Sequence, residues 1–277
     1  MHKQEIKITT IDLYNNEPNE GMRCIRDIVK EVSNFYDFPI NYDVYETRYK
    51  DVIPSLDYDI YISSGGPGSP FEGEGTEWER KYFDLLDKIW NYNQSNYDKK
   101  KYIFFICHSF QMMARFFQFG EVNKRFINSF GIMPFEKTEK GKSDSILKDL
   151  SNPFYAADIR HWQVVNADYS KLDELGASIL SWEIPEEENK DNPAITAVRI
   201  SNEIVGTQFH PEADPASMLY HFRQPERKEY VVKRYNEDKY FEMIEWLKDP
   251  NKIIKTRQTV LPGFLKNAID ELTTVTA

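Results

Sequence analysis

The spacing of apolar positions changes period several times along the first hundred residues. IKITTIDLY (6–14) is rich in β-branched residues and reads as a strand. NEGMRCIRDIVKEVSNF (19–35) sets Met22, Ile25, Ile28, Val29 and Val32 at helical spacing. Cys24 falls inside this helix, where a small thiol is expected to pack. NYDVYETRY (41–49) predicts a second strand, and DYDIYISS (57–64) a third that runs into GGPGSP. TEWERKYFDLLDKIWNYN (76–93) predicts an amphipathic helix, with Thr76 as N-cap and Glu79 completing a capping box. KKYIFFIC (100–107) is continuously apolar, as expected of a strand covered on both faces.

Alternating strands and helices predict an α/β fold, with a central, mostly parallel, flavodoxin-like sheet and helices on both faces. The middle of the chain differs. Residues 122–141 and 153–209 hold many short strand-like pieces, which predict extra antiparallel strands. AITAVRISNEIVGTQFH (194–210) reads as a hairpin about an SNE turn. A helix, ASMLYHF, follows PEADP. The tail is charged and then helical around KYFEMIEWLK and LPGFLKNAIDEL.

Composition narrows the function classes. The chain has 277 residues, 40% of them apolar, with 18 Phe, 17 Tyr and 5 Trp, enough for a sizeable core. Its net charge of −10 disfavours nucleic acid, which needs clustered Lys and Arg. Two cysteines, Cys24 and Cys107, make no disulfide framework. The N-terminus lacks a basic segment followed by a long apolar one, so no secretion signal is expected. No run approaches the roughly 18 apolar residues of a membrane span. A reducing cytoplasm is the expected compartment.

Three short stretches carry candidate chemistry. YIFFICHSFQ (102–111) ends a buried strand at Cys107 and turns at once into a helix. A residue at such a turn projects outward, and the N-terminus of the helix lowers the pKa of a thiol there. A buried cysteine that merely caps a strand is the alternative. GTQFHPEAD (206–214) places His210 at a strand end and Glu212 two residues on, the pattern of a base with an orienting carboxylate. A solvated loop histidine is the alternative. SSGGPGSP (63–70) is a glycine loop at a strand end whose free N–H groups suit an oxyanion, a phosphate or a plain turn. No Gly-Lys-Ser/Thr follows, so it is not a Walker loop.

Taken together, Gly65-Gly66-Pro67, the turn from Phe105 to Gln111, and His210-Pro211-Glu212 closely resemble the class I glutamine amidotransferase family, of the kind found as the glutaminase part of GMP synthase. The resemblance spans roughly residues 6–222. It implies one such domain over 1–224, with 225–277 as an extension packed on it. It implies that Cys107 attacks the side-chain amide of glutamine, that His210 moves the proton and that Glu212 orients His210. The N–H groups of Gly66 and His108 would hold the oxyanion, and Gly65, Gln111, His161 and Trp162 would line the substrate pocket. No cofactor or metal is implied. Glutamine, or a γ-glutamyl small molecule, is the implied ligand, and a separate ammonia-accepting synthetase is the implied partner. A γ-glutamyl hydrolase of the same fold and a non-catalytic homologue are the other two readings. Two positions depart from the family's G-x-C-x-G turn: Phe105 and Ser109 stand where it has glycine, and Arg160 replaces the serine of its Ser-His pair. Ser109 is small. Phe105 is bulky, and something beside it must make room.

Overall fold

The structure, a computed structural model, describes residues 5–96, 99–185, 190 and 192–274. Five strands run in parallel, in the order β2 (Ile40–Glu46), β1 (Ile6–Asp12), β3 (Ile60–Ser63), β4 (Tyr102–Ile106) and β9 (Ile204–Thr207). Helices α1 (Gly21–Ser33), α2 (Thr47–Lys50), α3 (Glu77–Ser95) and α4 (His108–Phe117) follow the first four strands in turn. The pleat of β4 shows why its apolar run is unbroken. Tyr102, Phe104 and Ile106 pack with Ile25 and Ile28 of α1 and with Phe264 of α10 (Lys255–Thr274). Ile103 and Phe105 point the other way, into a cluster with Tyr82 and Leu86 of α3 and Phe110 and Met113 of α4. Successive side chains of a strand face opposite sides, so both faces must be apolar when helices cover both.

Beyond β9 the sheet is antiparallel. β8 (Ile195–Arg199) pairs with β9, as the predicted hairpin requires. Next come β6 (Phe154–Val165), β5 (Glu121–Lys137) and β7 (Ser178–Glu183), and β7 pairs back onto β8. The strands β8, β6, β5 and β7 thus close into a small antiparallel ring. This corrects the expectation of a mostly parallel, flavodoxin-like sheet: among the described residues four pairings are parallel and five antiparallel. The physical reason for the reversal is the short connection between β8 and β9: residues 200–203 cannot supply the crossover of a dozen residues or more that parallel neighbours need, and the strands joined through the short α5 (Glu139–Ser143) and α6 (Tyr169–Leu175) continue the antiparallel half.

The C-terminal third supplies α7 (Pro215–Phe222), α8 (Pro225–Arg234) and α9 (Glu237–Trp246). Met218, Phe222, Val231, Tyr240 and Met243 from these helices form a separate apolar cluster with Phe130, Ile132 and Ala157 of the ring. α10 then returns to the parallel half. One local expectation is also corrected. Thr76 caps α3 by accepting from the Glu79 N–H, but the Glu79 carboxylate turns away to pair with Arg115, so the capping box is not closed.

The room demanded by Phe105 comes from Gly206, its partner in the β4–β9 register. A Cβ on Gly206 would lie 2.8 Å from the Met113 sulfur, 2.9 Å from Phe110 and 3.0 Å from the Phe105 Cβ. Gly206→Ala therefore overpacks this cluster. It is expected to destabilise the fold by about 1–3 kcal/mol, read as a lowered midpoint in urea.

Candidate active site

β3, β4 and β9 are neighbours, so their carboxyl ends open on one place, and the three candidate stretches meet there. Cys107 has φ 50° and ψ −100°, a region that a side chain rarely occupies. Its neighbours hold it there. Its N–H donates to Thr207 O at 2.8 Å. The Ser109 hydroxyl accepts from the Ile106 N–H at 2.8 Å and donates to Ser63 O at 2.7 Å. Ser109 is fully buried, so the serine that replaces a family glycine ties the Cys107 turn to the end of β3.

The Cys107 sulfur lies 3.6 Å from Ile159 O and 3.7 Å from the Gln208 amide nitrogen. His210 leaves β9, and its N–H donates to Ala157 O at 2.9 Å, which anchors it across to β6. The ring Nδ1 meets Glu212 Oε1 at 2.9 Å, and Glu212 is buried. Burial alone would depress the pKa of His210. The Cys107 sulfur, then Glu212, outweigh it and hold the imidazolium well above the ordinary histidine value. The site thus contains a cysteine and a histidine bordering one cavity, with a carboxylate behind the histidine.

The sign of the pH effect follows. A folded value above the unfolded one means that the charge on His210 stabilises the fold below about 6.5, and that this contribution is lost as pH rises through the folded value. Cys107→Ala removes the largest raising influence. The His210 ring protons, followed by NMR, are expected to titrate at a lower pH in that variant than in the wild-type protein.

The glycine loop packs as closely as its composition suggests. A Cβ on Gly66 would lie 2.5 Å from Leu13 O, and one on Gly65 would lie 3.0 Å from the His210 ring. Arg48 secures the loop from behind, donating to Pro67 O at 2.8 Å and to Leu13 O at 3.1 Å. Among the described residues, the N–H groups of Gly66 and His108 donate to no protein acceptor. The His108 side chain is buried with neither ring nitrogen bonded. Burial, with Arg48 and Arg115 nearby, pushes its pKa down to about 3, so it is a neutral imidazole.

Gln111 is drawn into the same network. Its amide donates to Trp162 O at 3.1 Å and to Gln208 Oε1 at 3.3 Å, which links it through Gln208 to the sulfur. Gln208 gives no signal in the sequence, because it is a single amide residue just past β9, two residues before His210. The Trp162 ring packs 5.4 Å from Phe71, and His161 is exposed at the rim. Arg160 borders the cavity but its side chain is buried, with Asp158 at 2.9 Å and Glu183 at 3.2 Å, so a charge cluster of the ring occupies the position of the family serine. Cys107, His108, Gln111, His210 and Glu212 share a cavity of about 270 Å³ with Gly66, His161 and Trp162. Cys24 borders it too, but burial, then Asp214 and Glu212, push that thiol up to about 11. Among the described residues no group of His, Cys, Asp and Glu is disposed to hold a metal ion, and no helix is long and apolar enough to cross a membrane.

Solved structures share this architecture. A glutamine amidotransferase from Thermotoga maritima is 15% identical, with a TM-score of 0.62 over 96% of this chain and 99% of its own. A glutamine amido transferase from Methylobacillus flagellatus is 13% identical, with a TM-score of 0.61 over 96% of this chain and 94% of its own. A protein from Thermoplasma acidophilum, described as one component of a GMP synthase, is 15% identical, with a TM-score of 0.54 over 90% of this chain and all of its own. At such identities these likenesses speak for the fold alone. No curated protein sequence matches the chain. A family model does: glutamine amidotransferase class-I matches residues 25–223, a span that holds the Cys107 turn, the glycine loop and His210-Pro211-Glu212, and the chain therefore belongs to the class-I glutamine amidotransferase family.

Proposed function

We propose that this protein hydrolyses glutamine to glutamate and ammonia through a Cys107–His210–Glu212 triad. The observation that carries the reading is the meeting of thiol, imidazole and buried carboxylate in one cavity with two unengaged backbone N–H groups. The Cys107 sulfur attacks the side-chain amide carbon. The Gly66 and His108 N–H groups receive the oxyanion. His210, oriented through Nδ1 by Glu212, gives its proton to the departing nitrogen, and ammonia leaves a glutamyl thioester. Water then attacks the thioester, His210 takes its proton, and the C–S bond breaks to release glutamate. Gln111 and Trp162, joined by a hydrogen bond, border the amino-acid end of the substrate. Residues 1–224 carry the reaction, with 225–277 as an extension of the same domain. A separate synthetase uses the ammonia.

The test is covalent trapping. A glutamine-analogue diazo-ketone is expected to label Cys107 and not Cys24, as mapped by mass spectrometry, and excess glutamine to protect it. The raised pKa of Cys24 keeps that thiol protonated near neutral pH. Labelling of Cys107 by iodoacetamide but never by the analogue, with no protection by glutamine, would show a pocket built for another substrate.

A further inference from the structure

Tyr14 borders this cavity with a polar hydroxyl, and its placement is specific. Its N–H donates to Asp12 Oδ1 at 2.8 Å, and its carbonyl accepts from the Glu17 N–H at 3.0 Å. Between them Asn15 and Asn16 have φ of 54° and 60°, a two-residue turn of the kind that asparagine tolerates. The turn throws the phenol back over the end of the sheet. Two glycines leave room for it. A Cβ on Gly21, the first residue of α1, would lie 2.3 Å from the Tyr14 hydroxyl, and one on Gly65 would lie 3.2 Å from it. That same Gly65 Cβ would be 3.0 Å from Cε1 of His210, so hydroxyl, imidazole edge and glycine loop meet around one point. The ring packs against the main core, yet the residue borders the cavity, and among the described residues its hydroxyl makes no hydrogen bond. Burial first, then Glu212 and Cys107, hold its pKa well above the ordinary tyrosine value, so the group is a phenol at neutral pH.

Cε1 lies between the two ring nitrogens of His210, and Glu212 occupies Nδ1. A hydroxyl that faces the same Gly65 Cβ position as Cε1 is therefore within reach of what Nε2 protonates or deprotonates. We propose that the Tyr14 hydroxyl holds the leaving nitrogen beside His210 during acylation and then holds the water that attacks the thioester. It gains and loses no proton overall: the leaving nitrogen takes its proton from His210, and the water returns one to His210. The inference rests on Cys107 being the nucleophile of an amide hydrolysis.

Tyr14→Phe keeps the packed ring and removes one oxygen. The expected result is a fall in kcat for glutamine of about 10- to 100-fold, the worth of one hydrogen bond at a reacting group, with KM within about twofold. Alkylation of Cys107 by chloroacetamide, which involves neither leaving amine nor water, is expected to keep its wild-type rate. Added hydroxylamine gives a readout that a packing role would not move. When water attack is impaired, more of the thioester is captured as γ-glutamyl hydroxamate relative to glutamate. Gly21→Ala, which pushes the phenol aside, is expected to reproduce this pattern. An unchanged kcat and unchanged partition in Tyr14→Phe overturn the proposal. So does a loss of alkylation rate in parallel with kcat, which marks Tyr14 as a support of the thiol alone. A wild-type protein that neither hydrolyses glutamine nor takes up the diazo-ketone instead overturns the assignment of glutamine beneath it, and this proposal with it.

Discussion

Cys107→Ala is expected to lower ammonia release from glutamine by about 10⁴- to 10⁶-fold, to the limit of a coupled ammonia assay, because no thioester can form without the sulfur. Loss of any member that acts in one covalent sequence removes nearly the whole acceleration, so His210→Ala should fall into the same range and the double variant should add little to either. The fold is expected to survive. The hydrogen-bond contacts of the sulfur are long, 3.6 Å to Ile159 O and 3.7 Å from the Gln208 amide, and the positive φ of residue 107 is imposed by the hydrogen bonds of Thr207 and Ser109 rather than by the thiol. A Cys107→Ala protein with an unchanged urea midpoint and full glutaminase activity would remove Cys107 from the chemistry.

The second large effect is expected at Gly66. An alanine there puts a carbon 2.5 Å from Leu13 O, a backbone atom that cannot swing aside as a flexible side chain would. The loop has to move, and its N–H moves with it. Loss of one oxyanion donor costs about 10²–10³ in kcat. The signature is a drop in kcat and kcat/KM together, since the donor acts on the charge that develops in the transition state. The diazo-ketone should still reach Cys107 in this variant, because thiol and base are untouched. A Gly66→Ala enzyme with a raised KM and an unaltered kcat would place the loop in ground-state binding instead.

Much of this site is legible from the chain alone because its parts are local. The turn at Cys107 is announced by an apolar strand that becomes a helix within one residue, and His210-Pro211-Glu212 brings an imidazole and its carboxylate partner within three positions. Glycines at 65 and 66 signal close backbone approach, and the distances to Leu13 O and His210 bear that out. What could not be read depends on partners far apart in the chain. Phe105 looks too large until Gly206 is found opposite it. Gln208 becomes notable only when its amide is seen between Gln111 and the sulfur, 97 and 101 residues away in sequence. The ring of β8, β6, β5 and β7 is set by the return of β7 onto β8, a register that no local period encodes. Arg160 shows the same limit: its burial against Asp158 and Glu183 is a property of that ring.

The closure of that ring also bears on how this molecule meets copies of itself. A sheet invites other chains wherever a strand has an unpaired side. Here the antiparallel half folds β7 back onto β8, while β2, at the other end of the strand order, has its outer side unpaired among the described residues. That strand carries Asp43 and Glu46, with the Asp43 side exposed. A second copy adding itself there would bring an identical set of carboxylates alongside the first. The arrangement that shapes one wall of the candidate cavity therefore also takes β7 out of strand addition, and at the opposite border two acidic side chains oppose it.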